Sequence, residues 1–434
     1  MKYLFAQTDY EQMLRVRYNR DTFSLARMRA LLKKIKDPHK GLRVAHIAGT
    51  KGKGSTATML SAMLHACGYK VGLYTSPHLV DIRERIRING EEISKVALTK
   101  YINKVALHVK SMGDDAPTFF EIFTAIAFMY FADEGVDIAV LETGMGGRLD
   151  STNVVRPMVV GFTNISIDHM QQLGDTVEAI AAEKAGILKR GVPAISVPQV
   201  PAAESVLKKT AKRINSPLMF TGKNIDFSYR FESSRDAGPQ TRVCLTTPRS
   251  KFEHLPVPLM GEHQALNCGL ALAMLDQLKN QGLKIDDAAA IEGLSQVRLP
   301  GRMELIRDNP RILVDGAHNA DSMQALMRSI GQYIPYDSMV VIFGCAADKE
   351  IAGMLDQLMR GADKVIFTRS DTPRAADPAE LAKRYEHRSG KTAQVAANLT
   401  ESINTANNAI TRGDIICITG SFYLVGEAKK LLND

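Results

Sequence analysis

A short run of glycine, lysine and hydroxyl side chains lies near the start of the chain. Residues 46–60 have the sequence HIAGTKGKGSTATML. Glycine lets the backbone adopt positive φ angles and lets phosphate oxygens approach backbone N–H groups closely. Lysine adds a full positive charge, and a serine or threonine hydroxyl can coordinate Mg²⁺ beside a phosphate. We therefore predict that this run binds phosphate groups, through Gly49, Thr50, Lys51, Gly52, Lys53, Gly54 and Ser55.

The run stands between two regular segments, which is the context that a phosphate-binding loop requires. The mostly apolar residues 42–48 predict a strand, and the pattern over 53–67 predicts a helix. The free N–H groups and the positive end of the helix dipole would then face the same point as the glycines. The match to the pattern G-x-x-x-x-G-K-[ST] is not literal, because Ile47 replaces the first glycine and Gly54 separates the lysine from the serine. An ordinary flexible loop is the alternative interpretation.

Three further side chains are of types that could assist the binding of a metal and a phosphate. Glu142 ends a predicted strand, His169 follows another strand, and Lys184 lies on a predicted helix. Carboxylate oxygens suit Mg²⁺, whereas imidazole is a less usual ligand for it. Each side chain also has a plainer interpretation: a capping carboxylate, a surface histidine and a surface lysine.

The elements that must position these residues follow a regular order. Continuous β-branched runs separated by helical patterns indicate a parallel sheet that is covered on both faces. Residues 227–259 differ, because short alternations such as TRVCLTT predict a small antiparallel excursion. The predicted strands are 42–48, 71–75, 138–142, 158–164, 194–197, 312–315, 339–343, 364–368 and 415–419. The predicted helices are 53–67, 118–133, 176–188, 263–279, 320–333, 351–359 and 378–385.

The alternation restarts near Val297 and predicts a second, doubly wound unit. The predicted fold class is therefore α/β, with a P-loop-type, mostly parallel sheet flanked by helices over residues 1–296. A smaller, Rossmann-like α/β domain is predicted over residues 297–434. Ligands of such sheets bind beyond the carboxyl ends of the strands, so we expect an active site in the cleft between the two domains.

The composition limits the class of protein. The chain has 434 residues, of which 45% are hydrophobic and 24% are charged, and its five cysteines lie far apart. This argues against a disulfide framework or structural zinc, and no signal peptide or membrane segment is predicted, so we expect a cytoplasmic protein. The net charge of +8 is not concentrated in a tail and suits anionic small molecules, so we expect no nucleic-acid partner and no membrane partner.

Taken with other segments, the run GTKGKGS resembles the phosphate loop of the Mur ligase superfamily. More narrowly, the chain is similar to the folylpolyglutamate synthase family, including its bifunctional dihydrofolate synthase form. The segments that carry the resemblance are collinear and cover nearly the whole chain. They are TSPHL (75–79), ERIRING (84–90), FFEIFTAIAF (119–128), LETGMGGRLDSTN (141–153), NISIDHMQQLG (164–174), AAEKAGILK (181–189), HQALN (263–267), PGRME (300–304), LVDGAHN (313–319) and GSFYLVGE (420–427).

The resemblance implies an ATP-dependent amide ligase that joins glutamate to a folate, and to dihydropteroate in the bifunctional form, through an acyl phosphate. It implies ATP and two Mg²⁺ ions as cofactors, and a monomer that acts on small molecules. Besides the phosphate-binding run, it assigns to ATP Asn267, Arg302 and Asp315. Its Mg²⁺ ligands are Ser55, Glu142, His169 and a carbamylated Lys184. Its catalytic residues are Lys53, Lys184 and His318, and its glutamate residues are Arg302, His318 and Ser421. Its folate residues are Ser76, Pro77, His78, Thr118, Phe119, Phe120, Glu121, Leu149, Asp150 and Ser151.

Several of these assignments compete with structural roles. Asp315 and Asn319 are equally suited to capping a helix. Phe119 and Phe120 could stack on a flat heterocycle or could belong to the core. The alternating arginines of residues 83–87 could attract a glutamate tail or could lie on a solvated strand face.

Three other functions remain open from the sequence. Another Mur-type ligase, acting on a cell-wall nucleotide precursor, would usually carry an N-terminal uridine-nucleotide domain, for which the residues before 49 leave no room. A P-loop kinase or switch NTPase would not need the second α/β domain. A nucleic-acid-binding protein would show an affinity that falls steeply with salt.

Overall fold

The computed structural model describes residues 25–167, 170–235 and 238–433. Within these residues the first eight strands form one sheet. They are β1 (Val44–Ala48), β2 (Val71–Tyr74), β3 (Ile86–Ile88), β4 (Glu91–Glu92), β5 (Ile138–Glu142), β6 (Val159–Phe162), β7 (Ala194–Ser196) and β8 (Leu218–Phe220). Their spatial order is β4-β3-β2-β5-β1-β6-β7-β8. Strands β2, β5, β1, β6, β7 and β8 are parallel, and β3 and β4 add an antiparallel edge.

The middle of this sheet is buried on both faces. All residues of β1 and of β5 are buried. Ala45 and Ile47 belong to one hydrophobic cluster, whereas Val44 belongs to another. Since successive side chains of a strand point to opposite faces, the two clusters cover opposite sides of the sheet. The predicted parallel sheet with two covered faces is therefore confirmed.

Some helices of this part of the chain begin at a capping side chain. The helices are α1 (Leu25–Lys34), α2 (Lys53–Ala66), α3 (Lys95–Lys110), α4 (Phe119–Asp133), α5 (Met170–Leu173), α6 (Val177–Ala185), α7 (Pro201–Ile214), α8 (Glu262–Asn280) and α9 (Asp287–Ser295). Ser94 caps α3, Thr118 caps α4 and Thr176 caps α6, each by accepting a hydrogen bond from a backbone N–H of the first turn. Helix α2 packs against α8 and α9.

A small antiparallel sheet confirms the excursion predicted for residues 227–259. Its strands are β9 (Asp226–Ser234), β10 (Gly238–Thr246) and β11 (Lys251–Pro256), in the order β11-β10-β9. Its apolar side chains Val243, Leu245 and Phe252 join the same cluster as Leu272 of α8. The excursion therefore belongs to the first α/β unit.

A second sheet follows. Its strands are β12 (Glu304–Asp308), β13 (Arg311–Asp315), β14 (Met339–Phe343), β15 (Lys364–Phe367), β16 (Gln394–Val395) and β17 (Ile415–Thr419), in the order β12-β13-β17-β14-β15-β16. Its helices are α10 (Ala320–Tyr333), α11 (Ile351–Gly361), α12 (Pro378–Ser389), α13 (Leu399–Asn407) and α14 (Phe422–Asn433). Strands β13 and β17 are parallel neighbours, and Asp315 pairs with Thr419. Their carboxyl ends therefore lie side by side, and the predicted second α/β unit is confirmed.

The structure differs from the predicted elements mainly at their ends. The strand predicted at 42–48 begins at Val44, the strand predicted at 158–164 ends at Phe162, and the helix predicted at 176–188 ends at Ala185. The predicted division at residue 297 falls in the segment between α9 and β12. None of the helices in the described part of the chain is both long enough and apolar enough to cross a membrane.

Candidate active site

One large cavity opens between the two α/β units, where the carboxyl ends of their strands meet. Its volume is about 870 Å³, which is in the range of sites for small-molecule ligands. The first unit lines it with most of the phosphate loop (residues 49–55) and with the end of β5. The second unit lines it with the segments that follow β13 and β17.

The phosphate loop is held by contacts on both sides. Thr50 N donates to Asn164 O at 2.7 Å, and Thr50 Oγ1 donates to Ser166 O at 3.0 Å. Gly52 has a φ of +85°, and a Cβ atom there would lie 2.2 Å from Asn267 Oδ1 of α8. Glycine is therefore required at residue 52 both by the backbone conformation and by the neighbouring helix.

Lys184 lies beneath the phosphate loop and not on the surface. It is 4% exposed, and its Nζ donates to Gly49 O at 2.7 Å. Gly49 is packed against Thr163, because a Cβ atom there would lie 1.7 Å from Thr163 Oγ1. The amine of Lys184 therefore holds the start of the loop from the interior of the molecule.

Glu142 lies beside the first turn of α2, which begins at Lys53. Lys53 Nζ is 3.8 Å from Glu142 Oε1, and Ser76 N donates to Glu142 Oε2 at 3.0 Å. Glu142 is 4% exposed, and burial raises the pKa of its carboxyl group against the opposing effect of Lys53. A Cβ atom at Gly54 would lie 3.4 Å from Glu142 Oε2, so the glycine leaves space beside the carboxylate.

These oxygens fit a hard divalent cation. Ser55 is buried in the same first turn and lines the cavity together with Glu142. In the residues that the structure describes, no three His, Cys, Asp or Glu side chains form a metal-binding group. A cation here would thus keep water or phosphate oxygens among its ligands, as Mg²⁺ usually does. His169, another predicted ligand, lies outside the described residues.

Asp315 ends β13, and both oxygens of its carboxylate accept hydrogen bonds from backbone N–H groups. Asp315 Oδ2 accepts a hydrogen bond from Met303 N at 2.9 Å, and Oδ1 accepts one from Ala317 N at 2.8 Å. Burial raises the pKa of Asp315, and the guanidinium of Arg302 opposes this rise. Asn319 caps α10 through a backbone N–H of its first turn. The capping alternative is therefore correct for Asn319, while Asp315 fixes the turns at the edge of the cavity.

Arg302 and His318 meet at the ring of Phe422. The guanidinium carbon of Arg302 lies 4.5 Å from the centroid of that ring, and the imidazole centroid of His318 lies 5.8 Å from it. His318 Nδ1 lies 2.9 Å from Gly316 O. Because a carbonyl oxygen only accepts, we assign the proton to Nδ1, which makes Nε2 the basic nitrogen. Ser421 is buried directly before α14 and lines the cavity beside these groups.

The two phenylalanines at the start of α4 have different surroundings. Phe120 lines the cavity, and its ring packs on the backbone of Gly144, where a Cβ atom would lie 2.5 Å from the ring. Phe119 is 1% exposed and stacks on Phe123 in the core, with ring centroids 5.7 Å apart. Phe119 does not line the cavity itself, although its ring lies 5.6 Å from the guanidinium carbon of Arg85, which does. Its assignment to the folate site stays a prediction.

Thr118 and Glu121 also line the cavity, but their side chains cap α4. Thr118 N donates to Glu121 Oε2 at 2.8 Å, and Glu121 N donates to Thr118 Oγ1 at 3.3 Å. Arg27 of α1 donates from Nε to the same Glu121 Oε2 at 2.7 Å. The Glu121 carboxylate is therefore neutralised within the protein, and Arg27 becomes part of the cavity wall.

The segment at residues 75–79, here called the 75–79 loop, connects the cavity with the second unit. Ser76, Pro77 and His78 line the cavity. His78 Nδ1 accepts a hydrogen bond from Arg85 Nε at 2.9 Å. Leu79 packs into the second unit, since a Cβ atom at Gly426 of α14 would lie 2.2 Å from Leu79 O.

The remaining predicted residues also reach the cavity. Leu149, Asp150 and Ser151 line it after β5. Asp150 accepts hydrogen bonds from the backbone N–H groups of Thr152 at 2.9 Å and Met145 at 3.0 Å. Burial raises the pKa of Asp150, and these hydrogen bonds oppose the rise. Asp150 therefore shapes the loop that carries its two neighbours.

Sequence reasoning missed several cavity residues. Arg27 lies in none of the quoted segments, whereas Phe422 lies within GSFYLVGE (420–427) but received no role from the sequence. Only the fold brings these two side chains to the cavity. Lys349 and Arg374 line the far end of the cavity, where Arg374 forms an ion pair of 2.7 Å with Asp348. A signal existed for Arg85, since it belongs to the alternating arginines of residues 83–87. Together these cations make the cavity suited to anionic ligands.

Comparison with known proteins agrees with this geometry. Two family models match the chain: the Mur ligase middle domain over residues 47–275, and the Mur ligase, glutamate ligase domain over residues 301–422. The dihydrofolate synthase/folylpolyglutamate synthase of Bacillus subtilis (strain 168) is 35% identical over 413 residues, which cover 94% of each chain.

Solved structures resemble the whole molecule. Mycobacterium tuberculosis folylpolyglutamate synthase complexed with ADP is 33% identical, with a TM-score of 0.88 over 95% of each chain. Escherichia coli FolC in complex with DHPP and ADP is 28% identical, with a TM-score of 0.86 over 100% of this chain and 97% of that one. The resemblance read from the sequence is confirmed: the chain belongs to the folylpolyglutamate synthase/dihydrofolate synthase family of Mur ligases.

Proposed function

We propose that this chain is an ATP-dependent ligase that joins L-glutamate to folates. The observation that carries the proposal is a single cavity, in which the phosphate loop and Glu142 face Arg302 and His318 of the second unit. A carboxylate is a poor electrophile, so its conversion to an amide needs activation by ATP. Phosphoryl transfer depends on positioning and on charge neutralisation, and this cavity offers cations and backbone N–H groups for both.

ATP binds, in this proposal, with its phosphates on the phosphate loop. The start of α2 contributes its free N–H groups, and Lys53 contributes a charge. Arg302 reaches the phosphates from the second unit, where its planar fork can form two parallel hydrogen bonds. Asn267 and Asp315 complete the nucleotide site. The similar structures that contain ADP support a nucleotide site in this fold.

Ser55 and Glu142 are the residues that would hold Mg²⁺ at the terminal phosphates. When bound, the ion would neutralise charge on the transferred phosphoryl group. The protein contributes the buried carboxylate of Glu142. Because Gly54 has no side chain, the space beside that carboxylate stays open for the ion.

For a second Mg²⁺ we propose His169 and a carbamylated Lys184. Carbamylation would first remove a proton from the ammonium group of Lys184. The neutral Nζ would then form a bond to the carbon of CO₂, one C=O bond would open to a carboxylate, and a second proton would leave the nitrogen. The lysine would then offer carboxylate oxygens in place of a positive charge, while its remaining N–H could still donate to Gly49 O, 2.7 Å away. A carbamate signal in the carbon NMR spectrum of protein equilibrated with ¹³C-bicarbonate, absent in Lys184→Ala, tests this modification.

The proposed reaction has two steps. First, an oxygen of the acceptor carboxylate attacks the γ-phosphorus of ATP, the bond from that phosphorus to its bridging oxygen breaks, and ADP leaves. Second, the amine of glutamate attacks the acyl carbon, inorganic phosphate leaves with the bonding electrons, and the amine loses a proton. We assign that proton to His318 Nε2, and the binding of glutamate to Arg302, His318 and Ser421.

We propose that the acceptor binds at the side of the cavity that Phe120 lines, where an aromatic ring could stack on a flat heterocycle. The Phe120 ring forms part of the wall, and the 75–79 loop and residues 149–151 also line the cavity. A second candidate acceptor is dihydropteroate, which the name of the Bacillus subtilis relative favours because it includes dihydrofolate synthase. The two acceptors differ in whether a glutamate is already attached.

The decisive assay supplies purified protein with ATP, Mg²⁺ and labelled glutamate, and offers tetrahydrofolate and dihydropteroate separately. Transfer of label to tetrahydrofolate, with ADP and phosphate released in equal amounts, is the expected result. Transfer to dihydropteroate would add the second activity. If neither acceptor is labelled and no ADP is released, the proposed function is wrong. A phosphorylated acceptor that persists in excess glutamate would indicate a kinase.

A matched pair of arginine variants ties the activity to the cavity. Arg302→Ala removes a cation from the cavity wall and should lower kcat/KM about 100-fold or more. Arg298→Ala removes an exposed arginine of the connecting segment, which contacts only backbone carbonyls of its own turn among the described residues, and should stay within about twofold of wild type. Equal activities of the two variants would exclude Arg302 from the site.

We also propose that the two units are domains of residues 1–296 and 297–434, and that the protein acts as a cytoplasmic monomer. The five free cysteines support a reducing compartment. Light scattering during gel filtration would test the oligomeric state directly.

A further inference from the structure

Arg302 has an unusual environment for a cation at the edge of a ligand cavity. Within the described residues, the structure gives its guanidinium no hydrogen bond and no salt bridge, and the Phe422 ring is its direct contact, at 4.5 Å. This distance is within the range of a cation–π interaction. The carboxyl groups of Asp315 and Glu142 act on Arg302 only through longer-range electrostatics. The guanidinium is thus held without being neutralised.

The Phe422 ring is itself fixed on several sides. Phe422 is the first residue of α14 and lies two residues after Gly420, whose φ is +106°. The ring packs on the turn that follows β13, because a Cβ atom at Gly316 would lie 2.8 Å from it. The imidazole of His318 lies 5.8 Å from the ring centroid, tilted by 48°. One aromatic side chain therefore lies against both Arg302 and His318.

We propose that Phe422 is a positioning residue, whose ring orients the Arg302 guanidinium toward the phosphates of ATP and keeps His318 beside the incoming glutamate. The phosphate-directed role of Arg302 rests on the proposed function. The physical reason for a ring here is that a carboxylate partner would compete with the phosphates for the N–H groups of the arginine. An aromatic face restricts the rotamers of the long side chain and leaves those N–H groups for the ligand.

The test compares Phe422→Leu with Phe422→Tyr. Leucine keeps an apolar side chain of similar size but removes the π face, so kcat/KM for ATP should fall about tenfold. Tyrosine keeps the ring and should restore activity to within about threefold of wild type. Phe367→Leu is the control for lost stability, because Phe367 packs in the core of the same unit against Phe343 and Tyr385. At a temperature where it is folded, that variant should retain wild-type kinetics.

A double-mutant cycle shows whether Phe422 acts through Arg302. Calorimetry would measure the binding of the analogue AMPPCP with Mg²⁺ to wild type, Phe422→Leu, Arg302→Ala and the double variant. We expect Phe422→Leu to weaken binding about tenfold when Arg302 is present and less than twofold when it is absent. An equal weakening in both backgrounds, or wild-type binding and kinetics in Phe422→Leu, would overturn the inference. This cycle measures nucleotide binding and needs no folate acceptor. It therefore tests the role of Phe422 even if the ligase assay shows no activity.

Discussion

Gly52→Ala tests whether the phosphate loop needs glycine for space as well as for conformation. A Cβ atom at residue 52 would lie 2.2 Å from Asn267 Oδ1 and 2.7 Å from its Cγ, on a backbone with a φ of +85°. The left-handed conformation costs a residue with a side chain about 1–2 kcal/mol. Moving the Asn267 amide also breaks its hydrogen bond of 3.0 Å to Gln264, which contributes about 1 kcal/mol. We therefore expect a loss of about 2–3 kcal/mol in the free energy of unfolding.

Gly68→Ala is the matched control. Gly68 has a φ of +88°, and no atom lies within 4 Å of a Cβ built there. The free energy of unfolding of this variant should fall only by the cost of the left-handed backbone conformation, about 1–2 kcal/mol. The variant Gly52→Ala/Asn267→Ala removes the steric neighbour, so its destabilisation should be smaller than the sum of the two single changes.

Urea unfolding followed by circular dichroism suits this chain, which has no tryptophan. Calorimetry with ADP adds a functional measurement. Gly52→Ala should weaken ADP binding about tenfold or more, because the displaced loop no longer presents its N–H groups, whereas Gly68→Ala should bind ADP as wild type does. Equal destabilisation of the two glycine variants, together with unchanged ADP binding in both, would refute the reasoning.

Three other predictions use different properties of the site. Glu142→Gln should keep the fold and lower Mg²⁺-dependent turnover on the order of 100-fold, since the amide keeps the shape but not the charge; turnover measured against Mg²⁺ concentration checks this. Lys184→Ala should remain folded but inactive, since the loop loses its contact at Gly49 O; melting curves with the ligase assay check it, and near-normal turnover would remove Lys184 from the site. Burial lowers the pKa of His46 to about 3, so between pH ~6.5 and ~3 the unfolded chain binds the additional proton. Stability should therefore fall as pH falls through this window, by up to about 1.4 kcal/mol per pH unit, and His46→Gln should flatten that slope in urea titrations.

The parallel strands and the phosphate loop could be predicted because their signals are local. Mostly apolar runs mark β1 and β5, and the glycines of residues 49–54 mark the loop between a strand and a helix. Helices α3 and α7 were missed, since they lie on the surface with mixed polar sequences, and their capping by Ser94 and entry at Pro201 are weak signals alone. Strand β3 was not among the predicted strands, but the sequence left a strand face open for the arginines of residues 83–87, and Arg87 does lie on β3.

The candidate site was predictable in its motifs but not in the direction of individual side chains. Phe119 and Phe120 are neighbours in a uniformly apolar helix, so periodicity could not tell the one in the core from the one at the cavity. Arg27 is held at the cavity by an ion pair with Glu121, which lies 94 residues further along the chain. No local sequence pattern can show a contact over such a distance. Phe422 becomes significant only when the second unit folds and brings the ring under Arg302.

The wall that α8 provides for the phosphate loop has a consequence for how the protein is made. Thr56 Oγ1 donates a hydrogen bond to Asn267 O, 211 residues further along the chain. The side chain of the same asparagine packs against Gly52. A growing chain that has emerged only to the end of β8 contains every strand of the eight-stranded sheet but not this wall. The loop therefore gains its finished shape late in synthesis, after residue 267 has left the ribosome, and earlier fragments should be poor at retaining nucleotide.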